Sequence, residues 1–383
     1  MDVEIDIIPI ISDTQENCND IPRISAADLS FNDFFQNYMS KNLPVIITTS
    51  AEDLLTPTSS YWFKNDTINM DKLEDMFKDY EVPIADCSQQ YYNSHKKTKM
   101  TFSDYANYWR ERNADLLYLK DFHLKHEIPQ LDFYNVPHYF ASDWFNEFLI
   151  DTSKEDYRFV YLGVKDTFTN LHSDVCGSYS WSANVCGQKR WLILPKHEEE
   201  KLKDEHGKLP FSTTEEILIE KNVKFFDITQ NSNEIIFVPS GWFHQVHNST
   251  DVFSINHNWF NGCNIMFIWE NLLKNLSDVK REINDCREME NFDEHCQLML
   301  KMIYGLNIFE FVEIITHIVR KRVDKLKHDK EIKMFEEFNL GQNLAIFDIQ
   351  MAGKVLNEIV LQDFIDDKLK LIINVNLAKI FEN

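Results

Sequence analysis

Leu171-His172-Ser173-Asp174 and, far downstream, Gly241-Trp242-Phe243-His244 are the stretches whose reading decides the fold. An extended segment points residues i and i+2 to the same side, so His172 and Asp174 on such a segment chelate one ion together. The third donor, His244, has to arrive on a distant strand, which requires a fold in which remote strands converge. Two imidazoles and one carboxylate on one face of a metal leave coordination positions open, whereas structural zinc sites close four N/S positions. This donor set therefore suits a non-haem iron(II) centre that activates dioxygen. A His-x-Asp triplet alone arises often by accident on protein surfaces, so the weight falls on what surrounds this one.

Thr169 stands shortly before His172, and Lys189 follows in Ser180-Trp181-Ser182-Ala183-Asn184-Val185-Cys186-Gly187-Gln188-Lys189-Arg190-Trp191-Leu192-Ile193-Leu194-Pro195. That run reads as two strands turning near Gly187. A 2-oxoglutarate molecule chelating iron through its oxo-acid end leaves a second carboxylate inside the protein, which needs a buried cation and a hydroxyl donor. Lys189 and Thr169 fit those two roles. The alternative for Lys189 is a solvated strand lysine.

The stretch Thr167-Phe168-Thr169-Asn170-Leu171-His172-Ser173-Asp174, with Gly187-Gln188-Lys189-Arg190-Trp191 and Ile236-Phe237-Val238-Pro239-Ser240-Gly241-Trp242-Phe243-His244, resembles the jumonji-C family of 2-oxoglutarate oxygenases. The three pieces look like its iron-binding segment, cosubstrate-lysine hairpin and distal-histidine strand. The resemblance implies an α+β chain built on a double-stranded β-helix, a cupin-type jelly roll. It also implies iron(II) held by His172, Asp174 and His244, with 2-oxoglutarate and dioxygen as cosubstrates. Further pieces, Tyr118-Leu119-Lys120-Asp121-Phe122-His123-Leu124 and Ser254-Ile255-Asn256-His257-Asn258-Trp259 among them, resemble a subgroup of protein lysyl hydroxylases. That subgroup acts on the eukaryotic translation termination factor, a substrate that residue patterns alone do not name.

His247 and His257 compete with His244 for the metal. On an extended segment His247 faces away from His244, and position within the Gly-Trp-Phe-His motif favours His244. His247 then reads as a packed or hydrogen-bonded histidine, and His257 as either a core imidazole or a pocket wall. Asn256 and Asn258 share a face and match family positions that line the cosubstrate pocket; the competing reading is backbone capping. Cys176 reads as a small packed thiol, and Trp181, Tyr179 and the segment from Tyr118 to His123 are candidate pocket walls.

The chain has 383 residues, 44% of them hydrophobic and 13% aromatic, ample for a large core. It holds 39 basic against 62 acidic residues, a net charge of −23. A surface this negative repels nucleic acid and anionic lipid and favours a basic protein partner. No apolar run approaches the length of a membrane span, and the acidic start Met1-Asp2-Val3-Glu4-Ile5-Asp6 is unlike a signal peptide. The expected location is the cytoplasm, with the nucleus second. Seven cysteines without CxxC spacing argue against a disulfide framework or zinc ribbon.

Along the chain, 1–20 is expected to be a flexible arm and 21–150 an α/β extension packing on the barrel. The jelly-roll core is placed at 151–262 and a helical region at 263–383. Within the extension the patterning predicts a helix over 30–39, a buried strand over 44–48, helices near 70–79, 102–112 and 139–150, and strands near 82–87 and 116–121. Its helix-then-strand opening resembles the family's N-terminal extension. Glu198 to Asp204 reads as a charged, solvated helix between strands. The helical region is either a buttress for the barrel or a dimerisation or docking surface. Three function classes follow: a lysyl hydroxylase of the termination factor, a lysine demethylase of histone or other proteins with the same iron chemistry, and an inactive binding scaffold. The intact set of His172, Asp174, His244 and Lys189 weighs against the third.

Overall fold

The computed structural model describes residues 1–9, 11, 18–64, 67–112, 115–328 and 330–381. Two sheets face each other. The smaller has four strands in the order Phe168–His172, Phe243–Asn248, Lys189–Leu194, Phe226–Gln230, all antiparallel. The larger has nine: Arg23–Ser25, Val45–Thr48, Glu234–Val238, Tyr179–Cys186, Val252–Trp259, Arg158–Gly163, Leu117–Phe122, Glu81–Tyr91 and Ser94–Thr101. The jelly roll is therefore present, and the N-terminal extension widens one of its sheets rather than forming a separate layer.

Every residue of the Tyr179–Cys186 strand is buried, because both of its faces are covered. Tyr179, Trp181 and Ala183 point outward into the main apolar cluster, where Trp181 stacks on Phe140 at 5.2 Å. Ser180 points inward to the cavity between the sheets, and Ser182 bonds Asn256 on that same side. Alternation of large apolar and small polar residues thus separates core from cavity. Tyr179 and Trp181, candidate pocket walls from the sequence, belong to the core instead.

The turn at Gly187 is not a hairpin. Tyr179–Cys186 lies in the larger sheet and Lys189–Leu194 in the smaller, so the chain changes sheets there, as consecutive strands of a jelly roll do. Gly187 has φ +87°, and a Cβ on it would lie 1.9 Å from the Asp251 carbonyl oxygen, so the corner requires glycine.

A second apolar core lies under the C-terminal helices Ile265–Glu282, Phe292–Tyr304, Ile308–His328, Gln342–Val360 and Asp367–Phe381. It is joined by Trp144, Phe145 and Phe148 of helix Trp144–Asp151. Arg322 is fully buried and ties three helices together, bonding both Glu147 carboxylate oxygens at 2.7 and 2.8 Å and Asp348 at 2.8 Å.

Several expectations need correction. The flexible arm expected over 1–20 does not hold for residues 1–9: Asp2–Val3 pairs in parallel with Phe338–Leu340, and Val3 and Ile5 are fully buried. Positions 10 and 12–17 of that arm lie outside the described residues. The acidic character suggested disorder, yet Val3 and Ile5 alternate with Asp2, Glu4 and Asp6 in the period-two pattern of a strand. By the same pairing, 263–383 is not all helical, since Lys333–Met334 and Phe338–Leu340 are strands. The 139–150 helix is two pieces, His138–Phe140 and Trp144–Asp151, divided where Asp143 caps the second. The charged insertion is a short 3-10 helix, Glu198–Leu202, that is only partly solvated because Leu202 packs against Leu192 and Leu194.

Candidate active site

His172 ends the Phe168–His172 strand, and its register partner is His244. The pairing starts as Phe168 with His247 and Thr169 with Val246, then slips by one residue before His172. That irregularity decides the site. On a regular strand Thr169 and His172, three apart, face opposite ways; the extra residue re-aims His172 so that both line one cavity. Asp174 lies just past the strand in extended backbone, φ −63° and ψ 149°, so the i, i+2 relation to His172 is kept.

The ligating atoms of His172, Asp174 and His244 all lie within 4.8 Å of one another. His172 Nδ1 is 2.8 Å from the Asn170 carbonyl oxygen, and His244 Nδ1 is 3.1 Å from that of Trp242. A carbonyl only accepts, so each ring carries its proton on Nδ1 and leaves the Nε2 lone pair for a metal. Burial, reinforced by the neighbouring His244, holds His172 well below the usual histidine range, which keeps that lone pair free. Ser180 Oγ donates to Asp174 Oδ2 at 2.7 Å, and Asn258 Nδ2 donates to Asp174 Oδ1 at 2.8 Å. These outer partners fix the carboxylate's orientation, as they do around most metal-ligating carboxylates.

The cavity has a volume of about 390 Å³. Lys189 lies at its base, 2% exposed, with Nζ donating to the Tyr118 hydroxyl at 3.4 Å. Burial, helped by the nearby Lys120, pushes the Lys189 ammonium down to about 7. Among the described residues no carboxylate lies within 4.0 Å of it. A buried ammonium without an anion calls for an anionic ligand. Thr169 and Tyr118 add hydroxyls beside it. An iron(II) ion at the triad and a 2-oxo acid reaching from it to Lys189 therefore fit the donors present.

Asn258 faces the cavity but acts on Asp174, and Asn256 lines the cavity while accepting from Ser182 Oγ at 3.2 Å. His247 lies on the other face of its strand, stacked on Phe168 at 5.0 Å with Nε2 2.8 Å from Gln245 Nε2. His257 is a core imidazole, fully buried between Trp181 and Tyr134, whose hydroxyl is 2.8 Å from its Nε2. Cys176 is packed, with Sγ 3.0 Å from the Tyr304 carbonyl oxygen. Of the candidate pocket walls in the segment from Tyr118 to His123, Tyr118, Lys120 and Asp121 do line the cavity; sequence reasoning missed the aromatic wall Tyr157, Phe159 and Tyr161 and gave Lys120 no specific role. The aromatic wall has a period-two signature; the role of Lys120 has none, because its proximity to Thr169 depends on how the two sheets meet.

Residues 159–259 match the family model described as JmjC domain, hydroxylase. With this match, the two facing sheets and the triad of His172, Asp174 and His244, the chain belongs to the JmjC family of oxygenases. Within that family it is JMJD4-like. It is 42% identical over 369 residues to the 2-oxoglutarate and iron-dependent oxygenase JMJD4 homolog of Drosophila melanogaster, covering 88% of this chain and 86% of that protein. Human 2-oxoglutarate and iron-dependent oxygenase JMJD4 is 36% identical over 347 residues, 86% of this chain and 82% of its own length. The Arabidopsis thaliana arginine-specific demethylase JMJ20 is 33% identical over 380 residues, 90% of this chain and 82% of its own length.

Proposed function

We propose that the protein is an iron(II)- and 2-oxoglutarate-dependent oxygenase that hydroxylates a lysine side-chain carbon of the eukaryotic translation termination factor, thereby promoting termination. The observation that carries the oxygenase reading is one cavity with His172, Asp174 and His244 at one end and, at the other, the buried Lys189, which among the described residues has no carboxylate within 4.0 Å. Relatives named as 2-oxoglutarate and iron-dependent oxygenases support it. Support for the substrate is the subgroup resemblance of the flanking pieces, together with a net charge of −23 that favours a basic protein partner. The cytoplasm, where the termination factor works, is the proposed location.

When bound, the metal and 2-oxo acid supply the oxidation of a substrate C–H bond by dioxygen. The chain's own residues do the rest. His172 and His244 present Nε2, while Ser180 and Asn258 hold Asp174 in place. Lys189, Thr169 and Tyr118 receive the distal carboxylate. Tyr157, Phe159 and Tyr161 wall the cavity with aromatic surface that limits water around the reacting carbon.

A second reading is demethylation, favoured by similarity to a plant relative named as an arginine-specific demethylase. Mass spectrometry separates the two. Incubation with iron(II), ascorbate, 2-oxoglutarate and a basic-loop peptide of the termination factor is expected to add one oxygen atom to a lysine. Loss of a methyl group from a methylated peptide, without that gain, replaces hydroxylation by demethylation. Absence of both products, with no 2-oxoglutarate consumed, removes the enzymatic reading.

A further inference from the structure

We infer that Lys120 is a second cation of the carboxylate pocket and sets the protein's preference for a 2-oxo acid with a distal carboxylate over one without it. This rests on the reading that the cavity takes 2-oxoglutarate. Lys120 Nζ lies 3.5 Å from Thr169 Oγ1, the hydroxyl assigned to the distal carboxylate. The ammoniums of Lys120 and Lys189 stand 5.9 and 5.8 Å from the centroid of the same ring, Tyr161, and both side chains line the cavity. They reach the pocket from different sheets, Lys120 from Leu117–Phe122 and Lys189 from Lys189–Leu194.

The acid next in sequence to Lys120, Asp121, also lines the cavity and feels the Lys120 charge, which with Lys97 holds its carboxyl low, but its hydrogen bonds go to other groups. Asp121 accepts from the Tyr161 hydroxyl at 2.8 Å and from Lys97 at 3.2 Å. Among the described residues neither Lys120 nor Lys189 has a carboxylate within 4.0 Å. Two ammoniums facing one cavity repel, and Lys120 is the charge that adds to burial in holding Lys189 down. An anion between them removes that repulsion. A carboxylate offers two oxygens with about four acceptor directions, enough for two ammoniums and the hydroxyls of Thr169 and Tyr118. A single lysine suffices to hold a carboxylate; the second makes its presence on the ligand matter more.

The test is calorimetric titration of the full chain, loaded with manganese(II) under nitrogen so that no turnover occurs. Wild type, Lys120→Gln and Lys120→Arg are each titrated with 2-oxoglutarate and with pyruvate, which keeps the chelating end and lacks the distal carboxylate. The expected result is a loss of roughly 10- to 100-fold in 2-oxoglutarate affinity for Lys120→Gln, unchanged pyruvate affinity, and recovery in Lys120→Arg. Unchanged 2-oxoglutarate affinity in Lys120→Gln overturns the inference. Equal losses for both acids overturn it too, because they place the effect at the metal end. If wild type itself binds no 2-oxoglutarate with metal present, the oxygenase reading falls, and this inference with it.

Discussion

Asp174 shows how much of the site lies beyond its ligands. Both of its carboxylate oxygens accept hydrogen bonds, from Ser180 and from Asn258, before any metal arrives. Ser180→Ala and Asn258→Ala should each weaken metal affinity about 10-fold or more, measured by competition with a chromophoric chelator, while leaving the melting temperature nearly unchanged. Asp174→Ala should remove metal-dependent turnover altogether with the fold intact, read by product formation beside circular dichroism. Lys189 gives a pH prediction. Its ammonium titrates near 7 in the free protein, and only the protonated form attracts an anion. Affinity for 2-oxoglutarate should therefore be full below pH 7 and fall by up to about tenfold per unit above it, with calorimetry at pH 6, 7 and 8 as the check. The triad was legible in sequence because its key relation, His172 to Asp174, is local. His247 was set aside correctly by strand parity. Lys120 was legible only as part of a candidate wall segment, and its closeness to Thr169 and Lys189 was not, since these come from another sheet.

Among elements, the Phe168–His172 strand carries the least obvious feature. Strand parity, applied strictly, places Thr169 and His172 on opposite faces; the register slip between them brings them together. Nothing in Asn170-Leu171 announces an extra residue, since a bulge is defined by its partner strand. The turn at Gly187 was legible as a turn but not as a crossing between sheets. Gly187→Ala should destabilise the protein by roughly 2–4 kcal/mol in chemical denaturation, because positive φ and a backbone clash act together. Ser94–Thr101 escaped notice as a strand. It is an edge strand whose exposed Lys96, Lys97 and Lys99 hide the alternation that marks half-buried strands, and such lysines are what protects an open edge from pairing with other chains.

At the scale of the whole molecule, two apolar cores meet along helix Gln342–Val360, whose Leu344 and Phe347 belong to one and whose Val355 and Ile359 belong to the other, and Arg322 crosses between helices to reach Glu147 and Asp348. Arg322→Met should cost about 3 kcal/mol or more, read by urea denaturation, since it leaves two carboxylates buried against a shape they were built to share. The broad order of extension, barrel and helices was legible from changes of periodicity along the chain. The joining of the segment around Val3 to that around Leu340 was not, because no local pattern encodes so distant a pairing. Glu4 adds to that union by accepting from the backbone N–H groups of Asn343 and Leu344 at the start of the Gln342–Val360 helix. During synthesis, residues 2–5 wait for partners made more than 330 residues later. That closure is one no fragment ending before Phe338 can perform, and the acidic residues interleaved with Val3 and Ile5 favour solubility of the waiting strand until then.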